Sequence, residues 1–215
     1  MTEKMTSKPG VSGGQFPSEP DLRAETRKKI LRLGGTLFLV TAVTGLILGF
    51  VEWGTRIAIE QAEAEAKAEA LRNVMPGAET FASVPLAEGA GDMVVEVQQA
   101  TDRGGSTVGW CLTVTSKGYG GPVGFVAGIA KDGTIRGINI LSHSETPGLG
   151  AKSTEPEFYG QFADRKAPLK VVKGAAEGAD EIAAISGATI TSNAVTHGVN
   201  AAAEYWEKNL KEGQK

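Results

Sequence analysis

The rhythm of hydrophobic and polar positions divides the chain before any composition is counted. Residues 1 to 22 hold almost no apolar side chains and are rich in Ser, Pro, Gly and Thr. Such a segment cannot bury enough surface to offset its ordering entropy, and it reads as an unstructured start. The basic residues Arg23, Arg27, Lys28, Lys29 and Arg32 follow, and then an uncharged run from Leu33 to Val51. Nineteen residues in a helix rise about 28 Å, the thickness of a bilayer core, so 33–51 is expected to span a membrane. Positive charge precedes the run and Glu52 follows it, which sets residues 1–32 in the cytoplasm and the remainder outside. A cleaved signal peptide is the other reading, through Ala62-Glu63-Ala64, but that pattern lies far from the apolar run.

From Glu52 to Met75 the residues are mainly Ala, Glu, Gln, Lys and Arg, strong helix formers that predict a helical stalk over 52–75. Pro76-Gly77 ends it, and 76–215 reads as the globular domain. There the period changes to two. Met93–Gln99, Trp110–Ser116, Val123–Ala130 and Thr134–Leu141 are partly alternating, β-branched segments separated by glycines, and Lys131-Asp132-Gly133 predicts a hairpin. Thr154-Glu155-Pro156-Glu157 predicts a short helix start. A final helix over 192–210 places Val195, Val199, Ala202, Ala203 and Trp206 on one face. The expected class is α+β: a membrane helix and stalk, then a curved antiparallel sheet with packed helices.

Composition narrows the chemistry. With 215 residues there is room for an anchor and one ordinary domain. A net charge of −3, with no basic cluster interleaved with aromatics, argues against a nucleic-acid partner. The single cysteine, Cys111, sits in an apolar run and reads as a core residue. It excludes an intrachain disulfide or an iron–sulfur cluster held by this chain alone. His143 and His197 lack metal-ligand spacing, so no metal site is expected and any cofactor is organic.

Three glycine-punctuated stretches remain. Gly118-Tyr119-Gly120-Gly121-Pro122-Val123-Gly124 reads as a tight turn or as a close backbone approach to a ligand. His143-Ser144-Glu145-Thr146-Pro147-Gly148-Leu149-Gly150-Ala151-Lys152 holds a Pro-Gly turn, with Glu145, Thr146 and Lys152 offering an acceptor, a hydroxyl and a cation. Ser186-Gly187-Ala188-Thr189-Ile190-Thr191-Ser192 leads into the last helix. It reads either as an ordinary start capped by Thr191 or Ser192, or as a phosphate site at a helix N-terminus.

Ser186-Gly187-Ala188-Thr189-Ile190-Thr191-Ser192 resembles the covalent-flavin motif of the FMN-binding domain family. The other two stretches and the single anchor resemble that family in order and approximate spacing. The resemblance implies FMN esterified through its phosphate to Thr189, with Ser186, Gly187, Ala188, Ile190 and Thr191 around the attachment. Glu145, Thr146, Gly148, Leu149, Gly150 and Lys152 are implied against the flavin, and Thr191 is the fallback attachment residue. It further implies a flavin transferase that uses FAD, no catalytic residue for independent turnover, and neighbouring membrane and peripheral subunits of a redox-driven ion pump in the cytoplasmic membrane. Ala151-Lys152 fits the ferredoxin:NAD type of pump better than the NADH:quinone type. Ala183 departs from the motif, where an acidic residue usually stands three before the serine, and Asp180 and Glu181 are out of register. A stand-alone anchored flavoprotein and a non-redox binding module are the alternatives.

Overall fold

The computed structural model describes residues 19–87 and 92–211, with side chains from Glu25 onward. The expected unstructured start lies outside the described residues as far as residue 18. Helix α1 spans Glu19–Val74, and the chain divides into two compact units, residues 1–59 and 60–215.

In the first unit, α1 is long and apolar enough to cross a membrane. Leu37, Phe38, Leu46, Leu48 and Phe50 are all exposed, as a lipid-facing helix requires. The threonines within the run hide their hydroxyls: Thr41 donates to the Leu37 and Phe38 carbonyls and Thr44 to that of Val40. Each polar group is thus satisfied inside its own helix, where lipid offers no partner.

The second unit is built on a five-stranded meander, β1 Thr80–Val84, β2 Val94–Thr101, β3 Thr107–Lys117, β4 Pro122–Ala130 and β5 Ile135–Ser142, antiparallel throughout and paired in chain order. Asp132 shapes the β4–β5 hairpin by accepting from the Thr134 amide and hydroxyl, and Gly133 supplies φ +81°. After β5 come a 3-10 turn at Gly150–Thr154, α2 at Pro156–Tyr159 and a two-stranded parallel pair, β6 Lys170–Val172 with β7 Glu181–Ala183. Helix α3, Thr189–Asn209, closes the domain. The α+β class expected from the pattern is what folds.

Alternation assigns the two faces of the sheet. Trp110, Leu112 and Val114 of β3 and Phe125, Ala127 and Ile129 of β4 share one buried cluster with Val195, Val199, Ala202, Ala203 and Trp206 of α3. Between them, Cys111 and Val126 point the other way and are covered by Ala70, Leu71, Val74 and Met75 at the end of α1. The centre of the sheet is therefore buried on both sides, which is why β4 carries no polar side chain.

Two expected results arise here. Burial pushes the Cys111 thiol up to about 12, so at neutral pH almost no thiolate exists to react. Ellman's reagent should leave Cys111 unmodified in the native chain and titrate one thiol after denaturation; rapid native labelling would mean that the α1 cover opens. Beside it, Lys67 pairs with Glu96. Burial works to raise the Glu96 carboxyl, but hydrogen bonds from Lys67 and Gln98 and the Lys67 charge together hold it below its ordinary 4.5. A lowered folded value contributes stability that is full above the unfolded value and is lost as pH falls through the folded one. Glu96→Gln should therefore lower Tm at neutral pH, by an amount corresponding to at most about 1 kcal/mol for so partly exposed a pair, with the gap closing below pH 4.5. A gap independent of pH would mean that packing, not charge, is lost.

Candidate functional site

The three glycine stretches come together at one end of the sheet because of Glu145. It lies three residues beyond β5, is only 7% exposed, and points its carboxylate between the other two stretches. Oε1 accepts from the Tyr119 amide (2.8 Å) and the Gly120 amide (3.2 Å), both in the β3–β4 turn. Oε2 accepts the Thr191 hydroxyl (2.8 Å) from the first turn of α3. Small residues are needed for this approach. A Cβ on Gly118 would run into Oε1, and one on Gly150 would run into Oε2 and come within 2.7 Å of the Thr191 hydroxyl oxygen.

Each arm of the site has its own local cause. Gly118 donates to the Gly121 carbonyl (2.8 Å) and closes the β3–β4 turn. The Thr146 carbonyl receives the amides of Leu149 and Ala151, both at 3.2 Å, folding Pro147-Gly148 outward. The start of α3 is set by Ser192, whose hydroxyl donates to the Ala188 carbonyl and accepts the Ile185 amide, both at 3.0 Å. Gly187, at φ +76°, turns the chain into the helix. Neither Thr191 nor Ser192 is the N-cap. That position is Ala188, which offers no side-chain acceptor, so the first amides of α3 are left to an outside acceptor.

These elements enclose a cleft of about 420 Å³ lined by Tyr119, Glu145, Thr146, Leu149, Gly150, Gly187, Ala188, Thr189, Ile190 and Thr191. That volume is ordinary for a small-molecule site. Nine of the residues expected from sequence line it; Ser186, Gly148 and Lys152 do not. Tyr119 is the lining residue that sequence reasoning misses. Its signal is a lone aromatic inside a glycine run, and it is 72% exposed beside the cleft, with Ile190 and Leu149 also exposed. An apolar rim thus surrounds a polar floor. Thr189 is half-buried, and among the described residues nothing takes up its hydroxyl, whereas the hydroxyl of buried Thr191 is engaged.

The acids near Ala183 are occupied elsewhere. Lys170 pairs with Asp180 (3.0 Å) and Glu181 (3.4 Å), and the Glu177 and Gly178 amides hold the Glu181 carboxyl below its usual value. Ala183 itself is bound by Gln161, which accepts its amide at 2.7 Å and donates to its carbonyl at 3.3 Å. Neither acid lines the cleft.

Residues 118–204, which contain all of the cleft, match the FMN-binding domain family. The G subunit of the Na(+)-translocating ferredoxin:NAD(+) oxidoreductase complex of Acetobacterium woodii is 37% identical over 199 residues, covering 86% of this chain and 95% of that protein. The G subunit of an ion-translocating oxidoreductase complex of Methanosarcina acetivorans is 35% identical over 182 residues, covering 83% and 95%. The fold is also that of the C subunit of the Na(+)-translocating NADH-quinone reductase from Parabacteroides distasonis, with a TM-score of 0.53 at 24% identity over 69% of this chain and 94% of that one. On this identity, over nearly the whole length of its relatives, the chain belongs to the family of G subunits of ion-translocating oxidoreductase complexes.

Proposed function

We propose that this chain is the membrane-anchored electron-transfer subunit of an ion-translocating ferredoxin:NAD oxidoreductase complex, and that its FMN is joined to Thr189 as a phosphoester. One observation carries the attachment: the cleft brings Thr189 and Thr191 together at the start of α3, and of these two hydroxyls only that of Thr189 is unengaged. The residues present suit the group. The uncapped first amides of α3 favour a phosphate, and Tyr119, Leu149 and Ile190 offer apolar surface to a flat ring. FMN supplies the electron-carrying chemistry when bound, and the protein supplies orientation and electrostatics.

Attachment is balanced without an oxidant. The Thr189 oxygen forms a bond to the flavin-side phosphorus of FAD, the P–O–P bond breaks, AMP leaves, and the hydroxyl proton is released. A flavin transferase performs this step. A covalent tether suits a domain held outside the cytoplasm, where a dissociated cofactor would be lost, and the charge order around α1 supports that orientation. Electrons enter and leave through cofactors of neighbouring membrane and peripheral subunits, so turnover belongs to the assembled complex.

Intact and peptide mass spectrometry on the full chain, co-expressed with a flavin transferase, tests this reading. An FMN phosphoester on the peptide containing Thr189 is expected; a chain carrying no added mass would sink it.

A further inference from the structure

Among the described residues Glu145 is the only charged side chain that is buried. Removing a carboxylate from water is costly unless it is paired, and no cation among the described residues pairs with it. Its three partners, the Tyr119 and Gly120 amides and the Thr191 hydroxyl, are neutral donors. Three donors on two oxygens suit an ionised carboxylate, which only accepts. They stabilise the charge without cancelling it, and Glu145 also lines the cleft.

We infer that Glu145 is a positioning residue with an electrical role: it braces the three glycine stretches around the flavin, and its uncancelled charge holds the flavin's midpoint potential down. This rests on the proposed attachment of FMN to Thr189. Because Glu145 is buried, solvent screens it little, and a fixed negative charge there opposes any gain of negative charge nearby. The brace and the charge can be separated by substitution. Glu145→Gln keeps an oxygen for the two amides and turns an NH₂ toward the Thr191 oxygen, so the brace stays and the charge goes. Thr191→Val keeps the shape and the charge but withdraws one donor, leaving the charge less stabilised.

The two variants should therefore move the potential in opposite directions. The experiment is a dye-mediated potentiometric titration of the detergent-solubilised full chain, wild type against both variants, after peptide mass spectrometry has confirmed FMN on Thr189 in each. An upward shift for Glu145→Gln and a downward shift for Thr191→Val is expected. A brace acting by shape alone would move both the same way as the cleft loosens, or neither; either result overturns the electrical role. Should Glu145→Gln fail to fold, Thr191→Val still decides, because an unchanged or raised potential there contradicts the inference. Wild-type chain without FMN would instead overturn the attachment reading and is distinguished by the mass measurement.

Discussion

Thr189→Ala is expected to remove all covalently held FMN from the purified chain, while Thr191→Ala leaves it attached. The two residues are two positions apart at the start of α3 and share the same cleft, so sequence proximity does not separate them. Their surroundings do. The Thr191 hydroxyl is buried and given to Glu145, and freeing it would strand a buried carboxylate oxygen. Stranding that oxygen costs about 1–3 kcal/mol, so Thr191→Ala should show as a lowered Tm with flavin still bound. The Thr189 hydroxyl loses no protein partner when it is esterified. Thr189→Ser, which keeps a hydroxyl on a smaller side chain, should retain part of the modification. Flavin fluorescence on a denaturing gel, followed by peptide mapping, reads all three variants. Flavin remaining in Thr189→Ala, on Thr191 or any serine, would overturn the assignment of the attachment oxygen.

The sheet is legible because its central strands announce themselves. The four segments expected between Met93 and Leu141 are β2 to β5 with ends moved by only a few residues, since β-branched residues alternate there between glycine turns. Strand β1, Thr-Phe-Ala-Ser-Val, is not legible: it is a mostly exposed edge, held by backbone pairing to β2 rather than by a buried stripe. Strands β6 and β7 are three residues each, too short to show a period, and depend on Gln161 and Lys170 for side-chain contacts that no local pattern announces. Ser and Thr favour N-caps, which places the expected start of α3 at Ser192. The helix begins at Thr189 because the Ser192 hydroxyl instead serves the Ala188 carbonyl and the Ile185 amide.

The site shows the same division between local and long-range causes. The glycine stretches can be picked out one at a time, but what joins them cannot. Glu145 bonds to groups 25, 26 and 46 residues away in sequence, and no local pattern encodes contacts of that span. The end of α1 is a further case. Ala70, Leu71 and Val74, with Met75 just beyond the helix, make a short stripe at the end of a stalk otherwise rich in Ala and Glu, and that stripe covers Cys111 and Val126 on the sheet.

Gly198→Leu should destabilise the globular domain and lower its yield of attached FMN together. Helix propensity alone points the other way, since leaving glycine in a helix interior gains about 0.8 kcal/mol. Packing reverses the sign. A Cβ at 198 would stand 2.8 Å from Cζ and 3.0 Å from Cε1 of Phe125, and 3.0 Å from Cγ1 of Val114. Both neighbours are fully buried, so neither can swing aside into solvent. Overpacking of this kind typically costs about 1–3 kcal/mol, and a leucine carries three more carbons into the same contact. A net loss of about 2 kcal/mol lowers Tm by roughly 4–8 °C in a domain of this size. His197→Ala, at the exposed neighbouring position, is the control and should change stability by no more than about 0.5 kcal/mol. The effect reaches the site because α3 bears Thr189 and Thr191 in its first turn: a helix lifted from β3 and β4 draws Thr191 away from Glu145 and opens the cleft. An unchanged Tm in Gly198→Leu would mean that α3 can slide along the sheet without cost, and the tight seat of the helix would then not be what holds Thr189 in place.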